Sequence, residues 1–380
     1  HDVVRAGNEA VLRARYEDAA FFWRADLTVP LEEFAAGLAK LTFEERVGSM
    51  ADRTARIGAI AGVLQQVVGL AADDAAVLTR AAALAKFDLA SQMVVELSSL
   101  AGVMAREYAV RAGEPEAVAQ ALYDMELPRH TSDALPSAVP GAVLALADRF
   151  DLLMAMFAMG AKPTGSSDPF GLRRAALGVV RILREFPSLA PVTVSHGLQV
   201  AAERLRAQGV EVADDAIAAA HEFVVGRFAQ QLRDEGAPAG FVDAVLPGAD
   251  APGRAVSSLG ELQARAHDDT FRQLVAALQR ISRILPAGTE PGFDVGVLGE
   301  PAEKRLADAL AGLGDWSDGD VAEFAAKAES IVEPVDAFFT DILVMADDPA
   351  VRQARLGLLA TISARSPRGV DWQALDTALG

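Results

Sequence analysis

Between residues 141 and 159 the chain carries only three charged residues, Asp148, Arg149 and Asp151, in an otherwise apolar run. A segment of that length and character has to be surrounded by other protein on nearly every side. The stretch 75–110 is similarly apolar and predicts a second long, buried central helix. Enclosing such segments takes many partner helices, and the composition supports them. Hydrophobic residues make up 51% of the 380, but aromatics only 6%. The apolar content is therefore carried by Ala, Leu and Val, and Ala and Leu favour helix. Few segments show the alternating β-branched pattern of strands. The expected fold is all-α, in several helical bundles.

Periodicity and punctuation place further helices over 8–24, 50–68, 170–185, 196–208, 214–236, 259–285, 301–313, 318–346 and 348–364. Another is opened by Pro30, at a position where its missing N–H costs nothing. Residues 127–141, with three prolines, read as a loop, and 160–169 is a clear break and the first candidate domain boundary.

Several function classes are disfavoured at once. The absence of cysteine removes a disulfide framework, a Cys-ligated zinc and a cysteine nucleophile, and fits a reducing, cytoplasmic setting. No run reaches the ~18 uncharged apolar residues of a membrane span. The opening His1-Asp2-Val3-Val4-Arg5 does not follow the signal-peptide pattern and has no initiator Met, so a fragment of a longer chain is expected. A net charge of −18 argues against a protein that is basic all over. Local arginine clusters are then the means by which such a chain would meet phosphate.

Lys86 and Asp88 interrupt the apolar stretch 81–95, and Asp148 and Asp151 lie three apart, on one helix face. Charges are rarely buried without partners, so these four are expected to form a structural ion-pair group, with Lys86 against Asp148 as one pairing. The alternative is a divalent metal site built on Asp88, Asp148 and Asp151. No histidine lies on either helix, and Lys86 would repel a cation. The five histidines, His1, His130, His196, His221 and His267, are scattered. Lys162 and Thr164 lie in a glycine-containing loop without phosphate-loop spacing, and no nucleophile elbow, kinase set or metalloprotease helix is present. No catalytic residue, metal or cofactor is expected in this chain.

Arg173, Arg174, Arg181 and Arg184 fall on a face about 100° wide, with Val179, Val180, Ile182 and Leu183 largely opposite. The planar fork of arginine suits phosphate oxygens; the plain alternative is a solvated face. Arg280 with Arg283, and Arg352 with Arg355, are weaker pairs of the same kind.

Several long stretches resemble the beta subunit of bacterial glycyl-tRNA synthetase, nearly end to end. Gly7-Asn8-Glu9-Ala10-Val11-Leu12-Arg13-Ala14-Arg15, then Asp18-Ala19-Ala20-Phe21-Phe22-Trp23, is similar to that family's opening segment. Val47-Gly48-Ser49 with Arg53 and Arg56, Leu84-Ala85-Lys86-Phe87-Asp88-Leu89, and Ala147-Asp148-Arg149-Phe150-Asp151 follow. The most specific run is Pro163-Thr164-Gly165-Ser166-Ser167-Asp168-Pro169-Phe170-Gly171-Leu172-Arg173-Arg174-Ala175-Ala176-Leu177-Gly178, which contains the start of the arginine face. Arg280-Ile281-Ser282-Arg283, Val335-Asp336-Ala337-Phe338-Phe339 and Arg352-Gln353-Ala354-Arg355-Leu356 resemble its helical anticodon-binding domain of the DALR type. Departures are local: Ala101, Ala105, Gly171 and Ala354 stand where other residues are commoner.

The resemblance implies three parts: a degenerate HD-like helical domain over 1–160, a helical linker over 161–215 and the anticodon-binding bundle over 216–380. Lys86-Phe87 stands where an HD-type domain would carry a metal-binding His-Asp. It further implies a non-catalytic, tRNA-binding part of a glycine–tRNA ligase, partnered by an alpha subunit in a heterotetramer. That alpha subunit would use ATP and Mg and perform the chemistry; neither DNA nor a membrane is implied. On this basis Arg173, Arg174, Arg181 and Arg184 are expected near the acceptor arm of glycine tRNA, and Arg280, Arg283, Arg352 and Arg355 near its anticodon arm. The alternatives are a helical interaction scaffold and an HD-type metal phosphohydrolase.

Overall fold

The computed structural model describes residues 2–164, 167–168 and 170–375. His1, and Gly165, Ser166 and Pro169 of the signature run, lie outside the described residues. The chain divides into two compact units, His1–Arg227 and Phe228–Gly380. The first contains α1 (Asp2–Asp26), α2 (Leu31–Gly37), a short antiparallel hairpin of β1 (Thr42–Glu44) and β2 (Gly48–Ser49), α3 (Met50–Val68), α4 (Ala72–Ala83), α5 (Gln92–Glu96) and α6 (Val103–Arg111). It continues through α7 (Glu116–Asp124), α8 (Val139–Ala158), α9 (Leu172–Glu185), α10 (Val194–Ala207) and most of α11 (Asp214–Asp234). The second holds α12 (Ala239–Val245), α13 (Pro252–Ala264), α14 (Asp269–Ile284), α15 (Pro301–Leu313), α16 (Val321–Asp341) and α17 (Pro349–Arg365).

Helix α8 is the axis of the first unit. Residues from Ala142 to Ala147, with Phe150, Leu153 and Met154, are inaccessible. Around it pack α3, α4, α7, α9 and α10. Helix α3 begins with a capping box, in which Asp52 N–H donates to the Ser49 hydroxyl (3.2 Å) and Ser49 N–H to the Asp52 carboxylate (2.8 Å). It ends at left-handed Gly69.

The structure departs from expectation along 75–110. The chain there folds back as α4, α5 and α6 joined by two single-turn 3-10 segments. Lys86 (φ 62°) and Gly102 (φ 80°) reverse its direction. Two buried carboxylates hold the reversals: Asp88 accepts the Gly102 N–H (2.7 Å), and Asp26 accepts Gln92 and Met93 N–H (3.0 Å each) at the start of α5. An apolar run does not distinguish one long buried helix from several short ones, because each is enclosed all round. Likewise 259–285 is two helices, with Asp268 capping α14 (3.0 Å to Thr270 N–H). The expected linker over 161–215 is not a unit of its own, since α9 and α10 pack on α8.

Helices α10 and α8 approach so closely that a Cβ on Gly197 would lie 2.3 Å from the Phe150 ring, whereas one on Gly62 of α3 would meet nothing within 4 Å. Gly197→Ala should therefore lower the unfolding free energy by ~1–3 kcal/mol. Gly62→Ala should raise it by ~0.5–1 kcal/mol. Urea unfolding of both variants checks the pair, and a neutral Gly197→Ala would contradict the close approach.

Candidate nucleic-acid interface

Helices α3 and α8 each carry a charged pair at i, i+3 spacing, Arg53/Arg56 and Asp148/Asp151, and the two pairs face each other. Arg56 grips Asp151 with two bonds, Nε to Oδ1 at 2.6 Å and Nη2 to Oδ2 at 3.2 Å, and neither side chain is more than 1% exposed. Its Nη1 donates to Gln208 (2.7 Å). Arg53 reaches Asp148 at 2.9 Å and lies over the Phe43 ring, 4.4 Å from its centre. Lys86, held inward by its left-handed backbone, pairs with Asp148 (3.0 Å) and Glu126 (2.7 Å). Asp88 is not in this group: its carboxylate is taken by the Gly102 N–H, which corrects the four-member grouping expected from sequence. The members that sequence reasoning did not assign to the group are Arg53, Arg56 and Glu126. The matching i, i+3 spacing on α3 and α8 was the available signal.

Three positive side chains thus occupy the space between the carboxylates. Such a donor set does not suit a divalent cation, which needs oxygen or imidazole ligands turned toward it. Among the described residues no cluster of three or more metal-type ligands occurs. Burial alone would raise the Asp148 carboxyl, but Lys86, Arg53 and Arg149 override it and hold it at about 2. Its pairing contributes stability at all pH values above the ordinary carboxylate range, lost only as pH falls toward 2. Asp88 behaves oppositely: burial, only partly offset by the Gly102 N–H, raises it to about 6.

Beside the network opens a cleft of about 470 Å³, bounded by Ser98 and Ser99, the turn from Glu126 to His130, α8 and the start of α9. Arg129, Arg149 and Arg174 line it. Arg149 is buried against α9, where a Cβ on Gly178 would sit 2.2 Å from its Nε. Its guanidinium donates to the carbonyls of Ala145 (2.9 Å), Met125 (3.0 Å) and Pro128 (3.1 Å).

Of the arginines singled out from sequence, those on α9 share one outward side, with Val179, Val180, Ile182 and Leu183 buried opposite. They are not equivalent. Arg174 is exposed and makes no ion pair among the described residues. Arg181 is half-buried and donates to the carbonyls of His130 (3.2 Å) and Asp133 (3.0 Å), while Arg173 and Arg184 are half-buried and partnered. In the second unit Arg280 is 45% exposed, pairs with Asp336 (2.8 Å) and lies over the Phe339 ring. Arg283, one turn on, is exposed and also partnered. Arg352 donates to the Ala346 carbonyl (2.9 Å). Arg355 is only 12% exposed and is locked on fully buried Glu303 (2.5 Å) and the Leu343 carbonyl (2.8 Å). It is engaged inside the bundle, not on the surface where an RNA contact was expected. Arg129, His130 and Phe170 of the cleft were not assigned a binding role from sequence.

Arg56→Ala leaves the Asp151 carboxylate buried without its partner and should destabilise the protein by ~3–5 kcal/mol. The apolar double variant Arg56→Met with Asp151→Leu should recover part of that loss. Equal urea midpoints for wild type and Arg56→Ala would refute the role given to the pair. For Asp88, the folded-state value lies above the ordinary one, so its stabilising contribution is complete below pH ~4 and is lost as pH rises through about 6. Asp88→Asn should accordingly gain on wild type as pH rises from about 4 to about 7, by up to ~3 kcal/mol in total. A difference independent of pH would contradict the assignment.

The sequence profile of the family described as glycyl-tRNA synthetase beta subunit matches residues 1–247. The glycine–tRNA ligase beta subunit of Streptococcus thermophilus is 36% identical over 381 aligned residues, covering 99% of this chain and 54% of the relative. That of Actinobacillus pleuropneumoniae is 38% identical over 368, covering 94% and 52%. The glycine–tRNA ligase, chloroplastic/mitochondrial 2, of Arabidopsis thaliana is 35% identical over 375, covering 97% and 35%. The chain spans about half the length of the bacterial relatives it matches. With the α3–α8 charge group and the arginine-bearing α9 inside the matched region, the chain belongs to the glycyl-tRNA synthetase beta-subunit family.

Proposed function

We propose that this chain is a tRNA-holding part of a glycine–tRNA ligase beta subunit. It would support attachment of glycine to its tRNA while a separate alpha subunit, using ATP and Mg, performs the chemistry in an alpha–beta heterotetramer. The observation that carries the proposal is identity of 36–38% to bacterial proteins of that name, sustained over 94–99% of the chain. The cleft with Arg174 in the first unit would meet the acceptor arm, and the surface with Arg280 and Arg283 in the second would meet the anticodon arm. In a protein of net charge −18, such local cationic surfaces are where phosphate can be approached. A metal phosphohydrolase is disfavoured because cations occupy the place its metal would need.

A second reading, protein docking, is favoured by α1, where Val4, Val11, Leu12 and Tyr16 are 67%, 63%, 55% and 73% exposed. The two roles are compatible, since a beta subunit must also hold its alpha partner.

Titration of glycine tRNA and a non-cognate tRNA into the purified chain over a salt series tests the proposal. Affinity should fall with salt, and fall further when the anticodon cytosines are changed. Arg174→Gln should weaken binding to every sequence and reduce the salt slope by about one contact. Arg355→Gln should mainly lower the unfolding midpoint. No binding to either tRNA at low salt, with tight binding to the alpha subunit, would favour docking instead.

A further inference from the structure

We infer that the cleft between the Glu126–His130 turn and the start of α9 takes one unpaired nucleotide of an RNA strand, its phosphate at Arg174 and its base on Phe170; this rests on the RNA-binding reading above.

The first argument is charge. The two carboxylates in the cleft wall, Glu126 and Asp148, are both held by Lys86, at 2.7 and 3.0 Å. Arg129 and Arg149 instead donate to carbonyl oxygens: Arg129 to Ser99 (3.3 Å) and Ala101, Arg149 to those of α8 and the turn before the cleft. A carbonyl satisfies an N–H without cancelling the positive charge behind it. The cleft is therefore cationic within an acidic protein, and its protein walls focus that field. Arg174 adds an exposed guanidinium with no ion pair among the described residues, folded over Gly171 so closely that a Cβ there would lie 2.8 Å from it.

The second argument is the source of the attraction. The first N–H groups of α9, at Leu172 and Arg173, are taken by the Asp168 carboxylate (2.8 and 3.0 Å). The helix end is closed to an external anion, so recognition falls to the guanidinium groups.

The third is the aromatic. Phe170 lies in the cleft wall and is 40% exposed. A phenyl ring left in water next to cations is the pairing used to hold single-stranded nucleic acid, base on ring and phosphate on arginine. Inorganic phosphate or an acidic peptide would make no use of the ring. A volume of about 470 Å³ suits one nucleotide and is far too small for a duplex.

The experiment uses the full chain, with a fluorescein-labelled five-nucleotide single-stranded RNA followed by anisotropy. AMP, an RNA duplex of equal length and glycine tRNA serve as competitors. Wild type should bind the oligonucleotide in a salt-dependent manner, with tRNA competing well, AMP weakly and the duplex poorly. Phe170→Ala should weaken binding about 5- to 10-fold while Phe170→Tyr retains it, and Arg174→Gln should weaken it and flatten the salt dependence. Circular dichroism melts of all three variants keep a folding defect distinct from a binding one. If tRNA binds and Phe170→Ala matches wild type on the oligonucleotide, the base is not seated on Phe170: the inference fails and the RNA reading stands. If AMP binds but the oligonucleotide does not, the occupant is a free nucleotide and the inference is overturned. If wild type binds no tRNA at all, the RNA reading fails and this inference with it.

Discussion

Asp151 lies midway along the most enclosed helix of the molecule, and the Arg56 guanidinium covers both its oxygens. A carboxylate in that position is tolerable only with a cation brought to it from another element. The pairing therefore holds α3 against α8 in one register, since sliding either helix by a turn would strand two charges in the core. The Arg53–Asp148 pair, one turn away, repeats the constraint in the same direction. With α3 and α8 locked, α9 and α10 have a fixed surface to pack on, and the start of α9 is carried to the edge of the cleft.

The same arrangement sets the electrostatics of the centre. Carboxylates from α8 converge with groups from the Lys86 reversal, as ligands to a metal would. Every converging acid is answered by a lysine or an arginine instead, so the group is electrically closed. What remains accessible is the edge, where Arg129 and Arg174, with buried Arg149 behind them, retain charge because their partners are carbonyls or solvent. An acidic protein can present a positive surface in this way without an excess of basic residues. It neutralises the local acids from behind and leaves the arginines to neutral acceptors.

The arginines divide by what surrounds them, not by how they are spaced. Arg181 and Arg355 fasten neighbouring chain through carbonyl oxygens, and Arg355 is further tied to a fully buried glutamate. Arg174 and Arg280 stand at the surface, Arg280 beside an aromatic ring. On a helical wheel all were phosphate candidates, those of α9 the stronger, because a wheel locates a face and says nothing of the element lying across it.

Much of the helical architecture was legible in the chain. The 50–68 and 301–313 segments read from periodicity and punctuation coincide with α3 and α15, and the apolar run from 141 covers all of α8 but its first two residues. Local signals suffice there, because a cap, a breaker and a 3.6-residue apolar period each act within a few residues. The burial of Asp148 and Asp151 also followed from sequence, as did the need for partners, since a charge in an apolar helix has few alternatives. Which partners they take was decided by tertiary structure, as was the breaking of 75–110 into short helices by the Lys86 reversal and the Asp88–Gly102 contact. So was the fate of each arginine. Those outcomes depend on groups far apart in the chain, 95 residues for Arg56 and Asp151, and electrostatic satisfaction at that range is a property of the packed three-dimensional arrangement.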